Sequence, residues 1–290
     1  MIAVMGAAGN VGGKVADLLL HEGQDVRVLE HRRPLDELAA RGAEVVRGDA
    51  ARPGDLAAFF EGAEAALVLL PDNVAEEHFV AHRSAISRSL ADALRRRPVG
   101  HVVAASSVGV DRPDVPGIPA GLRELEERLS ELEHINVLAL RSTPYMDYLL
   151  ANVPLIQAQG INGSAIAGDL PIPWIATRDV AAEASERLVR RDFTGHETKA
   201  LRGPEDVTMS EATAAIGERL GLTDVPYVQF RPDDLKGALL GSGFSDEAAS
   251  LLVAMQVGQN EGHFSTPAAA TPTRTRLADF LDEALPVPSQ

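Results

Sequence analysis

The residues best suited to chemistry lie at the very start of the sequence. Three glycines, Gly6, Gly9 and Gly12, follow an apolar run and precede a helical pattern of apolar residues. In a strand–turn–helix, the first glycine allows a sharp turn, the second admits a pyrophosphate close to the backbone, and the third lets the helix pack on the strand. Free N–H groups at the helix start attract phosphates. The spacing predicts a nucleotide-binding loop.

Charged residues end the second predicted strand and bear on the choice of nucleotide. Glu30 stands near the position at which an acid binds the adenosine ribose hydroxyls, which favours NAD. Arg32 and Arg33 follow at once, and paired guanidiniums suit a 2′-phosphate, which favours NADP. A solvated charged loop is the alternative for all three residues. Because two adjacent arginines stand out in so acidic a chain, we favour NADP.

Other polar residues follow later strands. Asp49 ends the third strand, where a loop can reach the adenine or simply form a turn. Ser106 closes the fifth strand, and Tyr145 follows the sixth. Because the carboxyl ends of parallel strands border the ligand crevice, we expect Ser106 and Tyr145 beside the reacting groups. For Tyr145 the alternative is a core aromatic residue whose hydroxyl binds backbone.

The elements that position these residues alternate between strand and helix. Uninterrupted apolar runs, such as residues 65–70, are typical of parallel strands covered on both faces. The pattern predicts an α/β fold, a Rossmann doubly wound parallel sheet with helices on both faces. We expect residues 1–150 to form the NAD(P)-binding domain and residues 151–290 to return to the sheet and add a smaller C-terminal α+β lobe, to which the family resemblance given below assigns substrate binding. We expect a long helix over 74–96 and a last helix over 273–285.

Composition excludes several classes of protein. The chain has 290 residues, with 42 acidic against 27 basic side chains and a formal charge of −15. Such a surface repels nucleic acid and anionic membranes. No cysteine is present, so disulfides and thiolate metal sites are excluded, and no histidine or carboxylate spacing indicates a metal. No apolar run could span a membrane, the chain opens directly into a core strand, and we expect a cytoplasmic protein.

The chain resembles the NmrA-like group of atypical short-chain dehydrogenase/reductases. Segments spread over the whole sequence carry the resemblance. They are residues 6–12, 45–49, 106–111, 140–147, 177–181, 203–208 and 273–280. The resemblance implies a Rossmann domain on which NAD(P) lies across the strand ends, with the nicotinamide near Ser106 and the turn at Pro144 and Tyr145. NADP(H) is favoured as cofactor, and NAD(H) is the alternative.

The site implied by the loop and by the resemblance has two parts. Ser106 and Tyr145 are the catalytic candidates. The cofactor-binding candidates are Gly6, Ala8, Gly9, Asn10, Val11, Gly12, Glu30, Arg32, Arg33, Asp49, Ala50, Leu70, Pro71, Ser106 and Pro144.

One departure from the family pattern limits what can be concluded about turnover. Short-chain dehydrogenases usually carry Tyr-x-x-x-Lys after the serine strand, where the lysine lowers the tyrosine pKa for proton transfer. Here Ile118 and Leu122 occupy those positions, and no tyrosine or lysine occurs between Lys14 and Tyr145. The standard proton-transfer pair is therefore absent.

Three hypotheses follow. The first is an oxidoreductase that reduces a quinone or small conjugated carbonyl by direct hydride transfer, with Tyr145, Tyr148, Ser106, a histidine such as His263, or water as proton source. The second is an NAD(P)-binding redox sensor that has a protein partner and no turnover. The third is a biosynthetic isomerase, dehydratase or cyclase that retains the nucleotide site. The sequence does not distinguish a monomer from a dimer.

Overall fold

The computed structural model describes residues 1–285. Eight strands form its main sheet, in which every pair of neighbouring strands is parallel. Strands are numbered in chain order, and their spatial order differs because of crossovers. In spatial order the strands are β10 (Thr271–Pro272), β8 (His196–Arg202), β6 (Asn136–Ser142), β5 (His101–Ser107), β4 (Ala65–Val68), β1 (Ile2–Val4), β2 (Val26–Glu30) and β3 (Glu44–Arg47).

Helices lie on both faces of this sheet and in a C-terminal lobe. A short parallel ribbon of β7 (Asn162–Ser164) and β9 (Tyr227–Gln229) belongs to that lobe. The helices are α1 (Asn10–His21), α2 (Asp36–Ala40), α3 (Pro53–Phe59), α4 (Phe79–Arg96), α5 (Pro119–Ser130), a 3-10 helix (Met146–Asn152), α6 (Val153–Gln159), α7 (Thr177–Arg190), α8 (Met209–Arg219), α9 (Pro232–Gly241), α10 (Asp246–Asn260) and α11 (Leu277–Ala284).

Two apolar cores cover the two faces of the sheet. Successive strand residues point to opposite faces, so Val103 packs with α1 and α7, whereas Val102 and Ala104 pack with α3, α4 and α5. Strands buried on both faces read as continuous apolar runs, as predicted. The predicted fold class, a doubly wound parallel sheet, is confirmed.

The strand order reverses beside β1, which pairs with β2 on one side and with β4 on the other. In open parallel sheets, this reversal leaves a crevice outside the carboxyl ends of the strands, where ligands bind. The glycine loop after β1 and the loop after β4 border this crevice.

Hydrogen bonds hold the C-terminal lobe together and join it to the loop that follows β4. In α10, Gln256 accepts from the Ala165 N–H at 2.8 Å and Asn260 accepts from the Ala167 N–H at 2.8 Å. The N–H of Ser245 donates to the Val74 carbonyl at 2.8 Å. The α9–α10 pair thereby holds the loop that follows β4.

Two predicted helix starts are wrong. The helix expected from residue 74 begins at Phe79, because the carbonyl of Val74 accepts a hydrogen bond from the Ser245 N–H rather than from a residue of the helix. The helix expected from residue 273 begins at Leu277, because Asp179 accepts the N–H groups of Arg274 and Thr275 just after β10. In both cases a tertiary contact displaces the local helical preference.

Segments beyond residue 150 complete the nucleotide-binding sheet. Strand β8 pairs with β6, and α7 packs against α1. The domain division after residue 150 stays a prediction, with the sheet shared between both segments. Within residues 1–285, no helix has the length and apolar character needed to cross a membrane.

Candidate functional site

The glycine loop has the tight geometry that the spacing predicts. Gly6 has a φ of +67°, which only glycine adopts easily, and a Cβ there would lie 2.7 Å from the Leu69 side chain. A Cβ on Gly12 would lie 2.4 Å from the carbonyl oxygens of Met5 and Gly6. Helix α1 therefore starts in direct contact with the end of β1.

The start of α1 is suited to an anion. Gly9 is its N-cap residue, no side chain caps the helix, and its first turn has no acidic residue. Ala8, Gly9 and Asn10 are exposed at the crevice. Uncapped N–H groups and the helix dipole attract phosphate. These residues fit the pyrophosphate of a dinucleotide.

The Glu30 carboxylate is occupied by groups of the protein itself. One oxygen accepts the Leu35 N–H at 2.8 Å, and the other accepts Arg47 Nε at 2.6 Å. The Leu35 bond, followed by Arg47, lowers the pKa of Glu30 despite its burial. A carboxylate engaged on both oxygens is poorly placed to accept ribose hydroxyls. Its assignment as a cofactor residue stays a prediction.

Arg32 and Arg33 are exposed beside the glycine loop. Arg33 Nη1 lies 3.5 Å from the Ala8 carbonyl, at the mouth of the phosphate site. Among residues 1–285, neither arginine forms an ion pair with a carboxylate, and Asp17, Glu30 and Asp49 are paired with Arg41, Arg47 and Arg52. The two guanidiniums are therefore available to an anion from outside the chain.

The remaining predicted cofactor residues lie after β3 and β4, at the carboxyl ends of these strands. Asp49 accepts the Ala51 N–H at 2.9 Å, and its own N–H donates to Asp55 at 2.9 Å, so it forms a turn. Ala50 and Leu70 are buried, whereas Pro71 is exposed. The turn explains the position of Asp49, and contact between these residues and the cofactor stays a prediction.

Ser106 lies on the α5 side of β5 and is buried. Its hydroxyl donates to Glu126 Oε1 at 2.5 Å. Arg141 holds the same carboxylate through Nε at 3.1 Å and Nη2 at 2.6 Å. Because the serine hydroxyl is already bound to a carboxylate, it must release that bond before it can contact a substrate oxygen.

Tyr145 and Tyr148 form an aromatic pair after β6, with ring centroids 5.7 Å apart. Burial, followed by the charges of Asp72 and Asp147, raises the pKa of Tyr145 to about 12. Tyr148 leaves 53% of its surface open, yet desolvation and the charge of Asp72 also raise the pKa of its hydroxyl. Both phenols are hydrogen-bond donors that hold their protons firmly.

The chain has three tyrosines, and all of them should ionise late. Burial raises the pKa of Tyr227 as well, whereas a phenol in an unfolded chain titrates near pH 10, at about its reference value. Because each folded pKa is higher than the unfolded one, stability should fall as pH rises above about 10. Spectrophotometric titration should show little tyrosinate absorbance in native protein at that pH and about half the full signal in denatured protein. A native midpoint at the unfolded value would contradict this environment.

Two residues that the sequence did not single out lie beside the tyrosine pair. Arg83, in the second turn of α4, binds Asp72 in the loop after β4 through Nη1. The guanidinium is 4% exposed and lies 5.4 Å from the Phe79 ring centroid. The one available signal was the position of Asp72, directly after Pro71 at a strand end.

The other ionisable candidates have structural contacts. Asp147 accepts the Thr177 hydroxyl at 3.0 Å at the start of α7, and Lys14 Nζ lies 3.8 Å from its carboxylate. His263 Nε2 lies 3.4 Å from Glu261, and its carbonyl contacts Gly109 in the loop after β5. In the part of the chain that is described, residues 1–285, no group of three or more histidines and carboxylates could hold a metal.

Comparison with known proteins supports the nucleotide site. Residues 6–137, which contain the glycine loop and β2 to β5, match a family described as NAD(P)H-binding. A search of curated proteins found no match to the chain.

Solved structures share the fold over nearly the whole chain. An NADPH-dependent quinone oxidoreductase from Escherichia coli, complexed with NADPH, is 23% identical with a TM-score of 0.79, covering 98% of this chain and 99% of that one. A Citrobacter sp. triphenylmethane reductase complexed with NADP(H) is 20% identical, with a TM-score of 0.79 and coverage of 98% and 100%. NmrA, a negative transcriptional regulator complexed with NADP, is 20% identical, with a TM-score of 0.68 and coverage of 97% and 90%.

These similarities agree with the loop geometry and with the strand order described above. The predicted nucleotide cofactor, NAD(P)H, is thereby confirmed. Residues 6–137 match the NAD(P)H-binding family, and the whole chain shares the fold of the quinone oxidoreductase, of the triphenylmethane reductase and of NmrA.

Proposed function

We propose that this protein is an NADPH-linked oxidoreductase that reduces a quinone or a small conjugated carbonyl by direct hydride transfer. The observation that carries the proposal is the pair of neutral phenols, Tyr145 and Tyr148, which follows β6 at the crevice. Hydride transfer needs mainly proximity and orientation, which a crevice of this kind supplies.

Residues of the chain would hold the cofactor along the strand ends. The start of α1 takes the pyrophosphate, and Arg32 and Arg33 take the 2′-phosphate, while Glu30 is engaged elsewhere. Pro71 and Pro144 would border the nicotinamide. When bound, NADPH supplies the hydride.

The substrate class follows from the lack of a strong acid. A phenol with a pKa of about 12 donates a hydrogen bond to a developing oxyanion but gives up its proton reluctantly. Ser106 is bound to Glu126. A substrate whose reduced oxyanion is stabilised by its own conjugation can take its proton from water. Quinones and conjugated carbonyls have this property, and simple ketones lack it.

Cofactor fluorescence and cofactor oxidation together test the proposal. NADPH binding is measured first, and its oxidation is then followed with quinones, conjugated enones and simple ketones. We expect tight binding, oxidation with the first two groups, and none with the ketones. If simple ketones were reduced as fast as quinones and enones, the site would have to contain a strong proton donor, which would contradict the proposed substrate class. If NADPH bound tightly but no acceptor in the panel oxidised it, the proposed oxidoreductase activity would be contradicted.

A second candidate is an NAD(P)-sensing regulator, which the missing Tyr-x-x-x-Lys pair favours. Ile118 and Leu122 stand where that pair would lie. The similar fold of NmrA, a negative transcriptional regulator, supports this alternative. A sensor requires a protein partner whose capture depends on the cofactor. Pull-down with NADPH, with NADP⁺ and without nucleotide therefore distinguishes it from the oxidoreductase.

A further inference from the structure

Arg47 is the last residue of β3, and only the inner side of its guanidinium is bound by the protein. Strand register places Arg47 directly opposite Glu30, the last residue of β2. Its Nε donates to Glu30 Oε1 at 2.6 Å. The Arg47 side chain is 83% exposed, whereas that of Glu30 is 10% exposed. Among residues 1–285 no acceptor binds Nη1 or Nη2, so these two nitrogens are available to a ligand.

Glu30 holds Arg47 more firmly than an exposed ion pair alone would. Its second oxygen accepts the Leu35 N–H at 2.8 Å, so the carboxylate cannot turn to another partner without losing that buried hydrogen bond. Because a guanidinium is rigid and planar, a fixed carboxylate at Nε also fixes the plane of the whole group. Arg47 therefore requires little ordering when an anion binds to its outer nitrogens.

Backbone contacts bring the end of β3 against the predicted 2′-phosphate site. The Gly48 N–H, directly after Arg47, donates to the Glu30 carbonyl at 2.9 Å, and His31 Nδ1 lies 3.2 Å from the Gly48 carbonyl. The segment that begins with His31 also carries Arg33, whose guanidinium reaches the glycine loop. An anion bound at this edge of the sheet would therefore lie beside guanidiniums from two neighbouring strand ends.

The pair also changes what an acid at the end of β2 can do. A free carboxylate at this position accepts a ribose hydroxyl of NAD and repels a 2′-phosphate. Here Glu30 uses both oxygens within the protein, and the charge beside it that faces the solvent is the positive charge of Arg47. An acid that ordinarily selects NAD would in this chain support the selection of NADP.

We propose that Arg47 is a specificity-determining residue that binds the 2′-phosphate of NADP(H), and that Glu30 is its positioning residue. Nη1 and Nη2 of Arg47 donate to phosphate oxygens, in addition to the donors of Arg32 and Arg33. The inference rests on the NADPH preference in the proposed function and does not depend on turnover. It gives Glu30 an indirect role in place of the predicted contact with the ribose.

Calorimetric titration with two fragments of the cofactor tests the role of Arg47 without a reaction. 2′,5′-ADP carries the 2′-phosphate, and 5′-AMP lacks it. In R47M we expect Kd for 2′,5′-ADP to rise about tenfold, the low end for a charge-assisted hydrogen bond, because the arginine is exposed. Kd for 5′-AMP should change less than about twofold. Unchanged binding of 2′,5′-ADP, or an equal loss for both fragments, overturns the proposal.

A double variant distinguishes a phosphate ligand from a group that only neutralises Glu30. R47M leaves the Glu30 carboxylate without its cation, and that bare charge could by itself repel the 2′-phosphate. E30Q/R47M removes both charges, and we expect its affinity for 2′,5′-ADP to stay about tenfold below that of the wild type. Recovery of wild-type affinity would show that Arg47 only neutralises Glu30, which overturns the proposal.

The single variant E30Q tests the positioning role. Arg47 must then be ordered by the ligand, so Kd for 2′,5′-ADP should rise about threefold, while 5′-AMP binds as before. In the R47M background the same change should have no such effect. Tighter binding of 2′,5′-ADP in E30Q would contradict positioning, and weaker binding of 5′-AMP would show that Glu30 contacts the ribose itself.

R41M is the matched control, because Arg41 also forms an exposed pair with a carboxylate, that of Asp17, but lies before β3 at the opposite edge of the sheet. It should leave both Kd values unchanged. If the fragments behave as expected while no acceptor oxidises NADPH, the inference stands and only the oxidoreductase activity fails. If quinones oxidise NADPH and R47M binds 2′,5′-ADP as the wild type does, only the inference fails.

Discussion

Replacing Gly12 with alanine is expected to abolish NAD(P)H binding. The new Cβ would lie 2.4 Å from two backbone carbonyl oxygens, of Met5 and Gly6, and backbone cannot rotate away as a side chain can. Helix α1 must shift from β1, which displaces the N–H groups that face the phosphates. We expect Kd to rise more than about 100-fold and the free energy of unfolding to fall by about 2 kcal/mol. Fluorescence titration and urea unfolding measure the two effects.

Gly54 provides the matched control for this substitution. It lies in the first turn of α3, and no atom lies within 4 Å of a Cβ built there. G54A should bind NADPH normally and gain about 0.5–1 kcal/mol in stability, since alanine favours the helix. If G12A retained wild-type affinity in a folded protein, the glycine loop could not be the phosphate site.

Replacing Arg32 and Arg33 together with alanine is expected to remove the preference for NADPH. Both guanidiniums are exposed beside the glycine loop, and Arg33 reaches the Ala8 carbonyl. Two charge-assisted hydrogen bonds to a 2′-phosphate are worth roughly 3 kcal/mol in sum. NADPH affinity should therefore fall about 100-fold, while NADH, which lacks this phosphate, should change less than about twofold. Parallel titrations with the two nucleotides measure the difference.

The control for this double variant removes the same number of charges elsewhere. Arg88 and Arg96 are exposed on α4, and R88A/R96A should bind both nucleotides as the wild type does. The NADPH affinity of the wild type should also weaken with salt more than the NADH affinity does. An equal loss for both nucleotides in R32A/R33A would show that these arginines do not read the 2′-phosphate.

The fold could be predicted from the sequence because the patterns that indicate it are local. Glycine spacing and apolar runs report on neighbouring residues, and they located β1, the glycine turn and α1 correctly. They also placed Ser106 and Tyr145 at the carboxyl ends of adjacent strands, which follows from the parallel arrangement.

The contacts of the site residues could not be predicted from the sequence, because their partners are distant in the chain. Glu30 meets Arg47 through the pairing of β2 with β3, and Ser106 meets Glu126 because α5 packs beneath β5. Arg83 binds Asp72 from the second turn of α4, and the Ser245 N–H binds the Val74 carbonyl in the loop before that helix. No local pattern reports strand register or a contact made by a later lobe.

The packing of α7 against α1 has a consequence for how the protein forms during synthesis. Val4, Val15 and Leu19, from the first elements made, share one core with Leu188 and Leu201. Before the ribosome has delivered those later residues, this face of the nucleotide-binding sheet is covered only by α1 and α2. Long-range pairing of this kind slows folding and leaves apolar strands open to association. The segment that binds the nucleotide is thus made first, but its core is completed only when α7 and β8 have been made.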